Sequence, residues 1–359
     1  MSDLLIYKCP CCDGAIEFDS TSQKLKCPFC DTEFDAENIA AYNNEIKIQC
    51  DDSIDWSDNP NSEWSNDDTE NIVEYSCSTC GGVIIADSNT IATSCPFCEN
   101  PVIVKNKLSG SLKPDLIIPF KVDKKSAKEA LFNHFKDKKL LPKIFQDENH
   151  IDEIKGMYVP FWLFNCDSLG YARYRATRVR TWRDPNYIYT ETSNYLVTRA
   201  GNLVFEKVPV DGSSTISDDL MESIEPYDWS ELTVFNSAYL SGYFADKYDV
   251  DSINTSDRAN ERIKKSTSYA LDSTVIGYNT CIQQSLNVTL SNNSVKYALL
   301  PVWFLNTSWE GKKYTFVMNG QNGKFAGDLP IDKKLYNKWL WGLTAIIGTI
   351  ATVLALFLM

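Results

Sequence analysis

Hydrophobic and polar positions change rhythm several times along this chain. Residues 15–18 and 83–86 are short runs carrying apolar side chains, each followed after a polar turn by a second run at 23–26 and 90–93. That pattern predicts two hairpins of the same design. Residues 36–48 show a faint helical spacing, and 51–71 are acidic, polar and poor in aliphatics. Such a stretch cannot bury enough surface to offset its ordering entropy and is expected to be a flexible linker, with Trp56 and Trp64 as unexpected aromatics inside it.

From Leu112 onward the texture is globular. Residues 116–122 read as a strand, Asp123 as an N-cap, and Ala127, Ala130, Leu131, His134 and Phe135 as one face of an amphipathic helix. Residues 158–164 read as a buried strand with Pro160 at an edge or bulge. Residues 171–183, 187–192 and 203–208 alternate around the turn residues 184–186 and 200–202, which predicts an antiparallel meander. A second helix is expected from Ser256, with Ala259, Ile263, Ser266 and Ala270 on one side, followed by strands at 287–290 and 297–305. At an offset of 141, Pro160-x-Trp162 matches Pro301-x-Trp303 and Asn165 matches Asn306, so a duplicated helix-plus-antiparallel-sheet unit is expected. Residues 339–359 contain no charge over 21 positions and follow Lys333, Lys334 and Lys338. At about 1.5 Å per residue that run is about 30 Å long, so a transmembrane helix is expected, with Trp339 and Trp341 at the interface and the positive flank in the cytoplasm.

A much sharper repeat is carried by cysteine. Cys9 and Cys12 pair with Cys27 and Cys30, and Cys77 and Cys80 pair with Cys95 and Cys98, an offset of 68 superimposing all eight. Gly14 matches Gly82, Ile16 matches Ile84, and Pro28-Phe29 matches Pro96-Phe97. Two Cys-x2-Cys turns bring four thiolates to one ion and leave no open position, which is the chemistry of a structural Zn2+ site. The expectation is two zinc ribbons holding two structural zinc ions; rubredoxin-like iron would use the same ligands. Disulfides are disfavoured because the first residues lack the apolar core of a secretory signal. Cys11, Cys50, Cys166 and Cys281 fall outside the pattern.

Charge narrows the function. The net charge is -13, and residues 1–40 set Lys8, Lys24 and Lys26 against eight acidic side chains, so nucleic acid is not an expected partner. The arginines of 171–183 are complemented by the acidic stretch 217–231, or else engage anionic lipid or an acidic partner. With only His134 and His150 present, a histidine-dependent triad is not expected.

Three further stretches join the ribbons in a distinctive set: Val208-Pro-Val-Asp-Gly-Ser-Ser214, residues 238–249 ending Phe244-Ala-Asp-Lys-Tyr-Asp249, and Met318-Asn-Gly-Gln-Asn-Gly-Lys324 with Gly327-Asp-Leu-Pro330. Over nearly its full length the chain resembles bacterial membrane proteins with transcription-factor-IIB-type zinc ribbons. Members of that family are often labelled primosomal helicases. They are also similar to the zinc-ribbon membrane partner encoded beside phage-shock-protein-A-like and SPFH-domain proteins in membrane-stress operons. The resemblance implies a recruiter of such partners at the cytoplasmic membrane and supplies no catalytic residue. The helicase label fails on the residues, because Gly311-Lys312 and Gly320-x-x-Gly-Lys324 lack the spacing of a phosphate cradle.

The expected architecture is therefore a multidomain α+β protein. It comprises a zinc ribbon at 1–40, an acidic linker at 41–72, a second ribbon at 73–107, a duplicated α+β domain at 112–331 and a C-terminal transmembrane helix at 339–359. The expected function is a non-enzymatic adaptor, single-pass in the cell membrane with its N-terminal domains in the cytoplasm. The stripe Thr344, Gly348, Thr352 is compatible with a homo-oligomer. The rival expectation is a nucleic-acid-binding regulator.

Overall fold

A computed structural model describes residues 9, 14–35, 56, 64, 72–87, 95–100, 104–107, 112–146 and 153–358. It is mostly β, with 42% of the described residues in strands and 26% in helices, which overturns the expected α+β class. The reason is strand continuity. Where the sequence suggested a meander of short strands, β8 (Lys155–Arg183), β9 (Ile188–Asp211) and β12 (Thr280–Trp309) run for 29, 24 and 30 residues. The turn at Asp184 is real: its amide donates to the Tyr187 carbonyl, and its carboxylate accepts the amides of Asn186 and Tyr187. The turn expected at 200–202 is absent, because Gly201 stays extended and β9 remains paired to β8 through it.

The chain divides into two compact units, each assembled from three separated stretches. Unit 1 holds residues 1–58, 164–208 and 256–294. It contains the first ribbon, a three-stranded sheet of β1 (Glu17–Asp19), β2 (Lys24–Lys26) and β3 (Glu33–Phe34) in that order. Elsewhere in it, helix α3 (Ser252–Asp272) buries Ala259, Ile263, Thr267 and Leu271. Leu271 packs with Ala172, Tyr174, Ala176 and Val197. This helix starts four residues before the expected Ser256, because Asp251 caps it by accepting the Asn254 amide at 2.8 Å. Trp56, expected in a solvated linker, is buried; its ring meets Phe164 edge-on at 4.8 Å, and its N–H donates to Asn260 at 3.0 Å.

Unit 2 holds residues 59–163, 209–255 and 295–359. The second ribbon, with β4 (Ile72–Ser76), β5 (Val83–Asp87) and β6 (Val104–Lys107), is part of its main sheet. The remaining strands there are β7 (Leu116–Ile117), β10 (Thr233–Val234), β11 (Phe244–Asp246), β13 (Lys312–Asn319) and β14 (Phe325–Gly327). Neighbours run β10-β7-β12-β8-β11-β5-β4-β6, with β13 on β12 and β14 on β13. The bridge is β11, which pairs antiparallel with β5 and parallel with β8. Its ladder on β8 ends at Tyr158, two residues before Pro160, so the missing proline N–H takes nothing from that ladder. Pro160 therefore lies on an inner strand of the sheet.

Helix α1 (Lys124–Lys136) begins as expected, Asp123 accepting the Ser126 amide at 2.8 Å, and it buries Ala127, Leu131 and Phe135. His134 rests against Phe325, ring centroids 4.5 Å apart. Trp64 packs edge-on against Phe235. A short helix α2 (Asp218–Ser223) contributes Met221 to the core. The two Pro-x-Trp strands make equivalent bonds. Trp162 donates its indole N–H to Val250 O at 2.9 Å, just before α3, and Trp303 donates to Val122 O at 3.0 Å, just before α1. Each strand thus clasps the start of the helix belonging to the other half.

The tail forms one helix, α4 (Lys333–Leu358). Among the described residues no helix is long and apolar enough to cross a membrane. This overturns the expected span at 339–359, and with it the single-pass C-terminal anchor and the placement of N-terminal domains in the cytoplasm. Its first turns carry Lys333, Lys334, Asn337 and Lys338, and glycines and threonines thin the apolar run beyond them. Thr344 and Thr352 return their hydroxyls to the carbonyls four residues back, and Trp339, expected at a lipid interface, lies under the Lys139 ammonium at 5.2 Å.

Candidate metal centres

All four described knuckle halves share one backbone device. The amide of the first cysteine donates to the carbonyl five residues on: Cys9 to Gly14 at 2.7 Å, Cys27 to Thr32 at 3.0 Å, Cys77 to Gly82 at 2.9 Å and Cys95 to Asn100 at 3.0 Å. In three of them the residue after the second cysteine turns left-handed, Asp31, Gly81 and Glu99 at φ 57°, 75° and 63°. Each returns its amide to the carbonyl of the first cysteine. The turn holds two sulfurs on one side, which is why two intervening residues suffice.

The structure brings Cys77, Cys80, Cys95 and Cys98 into one cluster, and Cys9, Cys27 and Cys30 into another; Cys12 lies outside the described residues. Sulfurs stand 3.6 Å apart in the pairs Cys9–Cys30, Cys77–Cys98 and Cys80–Cys95. Four thiolates about 2.3 Å from a zinc ion are about 3.8 Å from one another, so the donor sets fit zinc. The separation is well beyond a disulfide bond of about 2.05 Å, and none of the described cysteines forms a disulfide. Cys166 is buried and Cys281 exposed, and neither joins a cluster among the described residues.

The electrostatics of the second cluster suit a cation. Burial pushes the Cys95 thiol up to about 12 and raises Cys80 as well. Burial also opposes ionisation of Cys77, but the Cys80 and Thr79 amides and the Cys98 thiol outweigh it and bring it down to about 6. Four thiolates in this setting need a metal's charge to coexist. Lys155, its ammonium disfavoured by burial but supported by Glu99 and Cys95, lies beside them. The Asn100 amide points at the Cys98 sulfur from 3.6 Å.

Side chains beyond the sulfurs explain the longer match between the ribbons. A Cβ on Gly14 would stand 2.5 Å from the Phe29 ring, and one on Gly82 would stand 2.6 Å from the Phe97 ring, so the phenylalanine of one knuckle packs on the glycine of the other. The two phenylalanines differ in surroundings. Phe97 is 7% exposed and belongs to the main core, whereas Phe29 is 74% exposed. Likewise Phe18 is 56% exposed while its counterpart Ala86 is fully buried.

Asn306 was not singled out for this role by the sequence. Its buried amide donates to Pro96 O at 2.7 Å and Phe97 O at 3.4 Å, and its carbonyl accepts from Thr315, anchoring the knuckle to β12. A cleft of about 300 Å³ opens there, lined by Phe97, Ile216, Leu220, Phe304 and Lys313 among others.

No protein-family model matches the chain, and no solved structure does. The uncharacterized protein YdjG of Bacillus subtilis (strain 168) is 34% identical over 340 residues, covering 95% of this chain and 94% of that one.

Proposed function

This chain belongs to the same family as that Bacillus subtilis protein, and from that premise we propose that it is a non-enzymatic zinc-ribbon adaptor whose first ribbon docks a protein partner. The observation that carries this reading is the contrast between two copies of one module. The second ribbon spends its aromatic face inside its own protein, with Phe97 in the core; the first leaves Phe18 and Phe29 exposed. Closed four-thiolate sites favour a structural role for the metal, since they leave no position for substrate or water. The resemblance to transcription-factor-IIB-type ribbon proteins adds the class of partner, phage-shock-protein-A-like or SPFH-domain proteins.

The test is cross-linking and affinity purification of full-length protein at native expression, comparing wild type with Phe29→Asp, Phe18→Asp and Cys27→Ser. The expected result is a defined partner lost in all three while the second ribbon keeps its zinc. Equal recovery from the variants would remove the first ribbon as the docking surface.

A second reading, a nucleic-acid-binding regulator, has one observation in its favour. At the distal end of β8 and β9, Trp182 stacks on Tyr189 at 5.6 Å, Arg180 lies over Trp182, and Arg178 lies over Tyr195 and Tyr278. Aromatic faces beside arginines suit stacked bases. Fluorescence anisotropy with single-stranded DNA at low and high salt decides: binding that weakens with salt and with Arg180→Ala supports this reading, and none at low salt ends it.

A further inference from the structure

The stretches 208–214 and 238–249 converge in unit 2 around a group that the metal centres do not use. The Gly212 amide donates to Pro160 O at 2.9 Å, and the amides of Asp249 and Val250 donate to Gly212 O at 3.0 and 3.2 Å. The Ser214 amide and hydroxyl both donate to the Asp249 carboxylate. This backbone clamp sets Asp211 and Ser213 beside Asp246 on β11, and all three are 3% exposed or less.

The other half of the duplication supplies an internal control. There the Gly320 amide donates to Pro301 O at 2.8 Å, and Gly320 O accepts from Lys121 and Val122 at 3.0 and 2.8 Å, the same clamp. The residue before that glycine is Asn319, fully buried and fully used. Its amide donates to Ile224 O at 3.0 Å, and its carbonyl accepts the Gln321 amide at 2.8 Å. In the first half the corresponding residue is Asp211, and the neighbouring acid is Asp246. An ionised carboxylate cannot donate, so where the counterpart has a side-chain amide this pocket offers the Asp246 carboxyl only the Ser213 hydroxyl and the Lys247 backbone amide.

The need is visible in individual atoms. Asp246 Oδ2 and Ser213 Oγ are shut off from solvent without a hydrogen-bond partner, although Ser213 faces Asp246. Burial pushes the Asp246 carboxyl up to about 8, with the charges of Asp249 and Asp211 adding to it. The Tyr297 hydroxyl is raised by burial and by the charge on Asp246. The nearest lysine along the strand, Lys247, is spent on Glu74 at 3.0 Å. A buried carboxylate without a paired charge is strongly disfavoured, and hard oxygen donors are what Ca2+ and Mg2+ select.

We propose that Asp246, Asp211 and Ser213 form a buried site for a hard divalent cation, Ca2+ or Mg2+, separate from the two sulfur clusters. The cation satisfies buried oxygens here as the Asn319 amide does by donating in the other half, and it fastens β11, the strand joining the second ribbon to β8.

The test uses full-length zinc-loaded protein dialysed against millimolar CaCl2 or, separately, MgCl2, with bound metals counted by plasma mass spectrometry and thermal melts taken in parallel. The expected result is one calcium or magnesium ion retained beyond zinc, with a higher melting temperature in that cation. Asp246→Asn and Ser213→Ala are each expected to weaken retention on the order of tenfold or more, with zinc content unchanged. No retained calcium or magnesium in wild type overturns the site, and this arm requires no variant to fold. Retention untouched by both substitutions also overturns it. A melting temperature that falls as pH rises toward 8, restored by neither cation, identifies a proton as the occupant and overturns it as well.

Discussion

Adding one methyl group to each of the matched glycines separates the two ribbons. A Cβ at Gly82 would stand 2.6 and 2.9 Å from the Phe97 ring and 3.4 Å from the Cys80 sulfur. The ring cannot swing away, because it is 7% exposed and packed in the core with Tyr75, Ile84 and Phe304. Overpacking of this kind costs about 1–3 kcal/mol, offset by about 0.4–1 kcal/mol because alanine restricts the unfolded chain, leaving a loss of about 1–2 kcal/mol for Gly82→Ala. At Gly14 the corresponding clash is 2.5 Å, nominally worse, but Phe29 is 74% exposed and its ring can rotate into solvent. Gly14→Ala is therefore expected to fall within about 0.5 kcal/mol of wild type. Urea titration followed by tryptophan fluorescence reports on both units, Trp56 and Trp182 lying in unit 1 and the other seven tryptophans in unit 2, and zinc release to a chromophoric chelator reports on both metal sites, the first ribbon having no tryptophan of its own. Equal destabilisation by the two substitutions, or faster zinc release from Gly14→Ala than from Gly82→Ala, would refute the claim that burial of the phenylalanine sets the cost.

Asn306→Ala leaves the carbonyls of Pro96 and Phe97 without their buried donor and is expected to cost about 1–3 kcal/mol in the same titration; a loss below about 0.5 kcal/mol would show that the second knuckle is not held from β12. Trp56→Ala removes a buried indole from Phe164 and Asn260 and is expected to cost about 3–5 kcal/mol, whereas a solvated linker residue would cost nothing measurable. The Asp123 carboxyl is held below its usual value by the Ser126 hydroxyl and amide, so its contribution to α1 is present above the unfolded value near about 3.9 and is lost as pH falls through the folded one. The stability gap between wild type and Asp123→Ala, followed by circular dichroism, is therefore expected to close on acidification; a gap that persists in strong acid would point to another cause.

What the sequence revealed follows the range of the physics involved. Cysteine spacing is local, so the knuckles were legible, as was the cap at Asp123, where signal and consequence lie three residues apart. The Pro-x-Trp match is also visible, but not its use, since the indoles reach carbonyls 88 and 181 positions away. Strand length failed for the opposite reason: Ala200-Gly201-Asn202 looks like a turn by itself, and pairing along β8 overrides it. The three-residue β11 has too few positions to show a period, so nothing announced that the second ribbon joins the main sheet. The tail misleads because the lysines that flank its uncharged run are the first turns of the same helix, and glycines and threonines interrupt the apolar run beyond them.

Both internal duplications diverge in the same sense. In the ribbons, one phenylalanine is buried by its own chain and its twin is left exposed. In the clamps around Gly320 and Gly212, Asn319 makes hydrogen bonds with both its amide nitrogen and its carbonyl, whereas beside Asp211 the Asp246 Oδ2 and Ser213 Oγ atoms are buried without a bond. A copy whose needs are met internally has a structural role that accounts for its residues. A copy with an unmet need carries a cost that folding alone does not justify, about 1–3 kcal/mol for a buried polar atom without a partner. Phe29 therefore directs attention to a protein surface, and Asp246 to an ion. The two needs differ in chemistry and lie in different units, so a ribbon variant that loses its partner while keeping the cation would leave each assignment standing independently of the other.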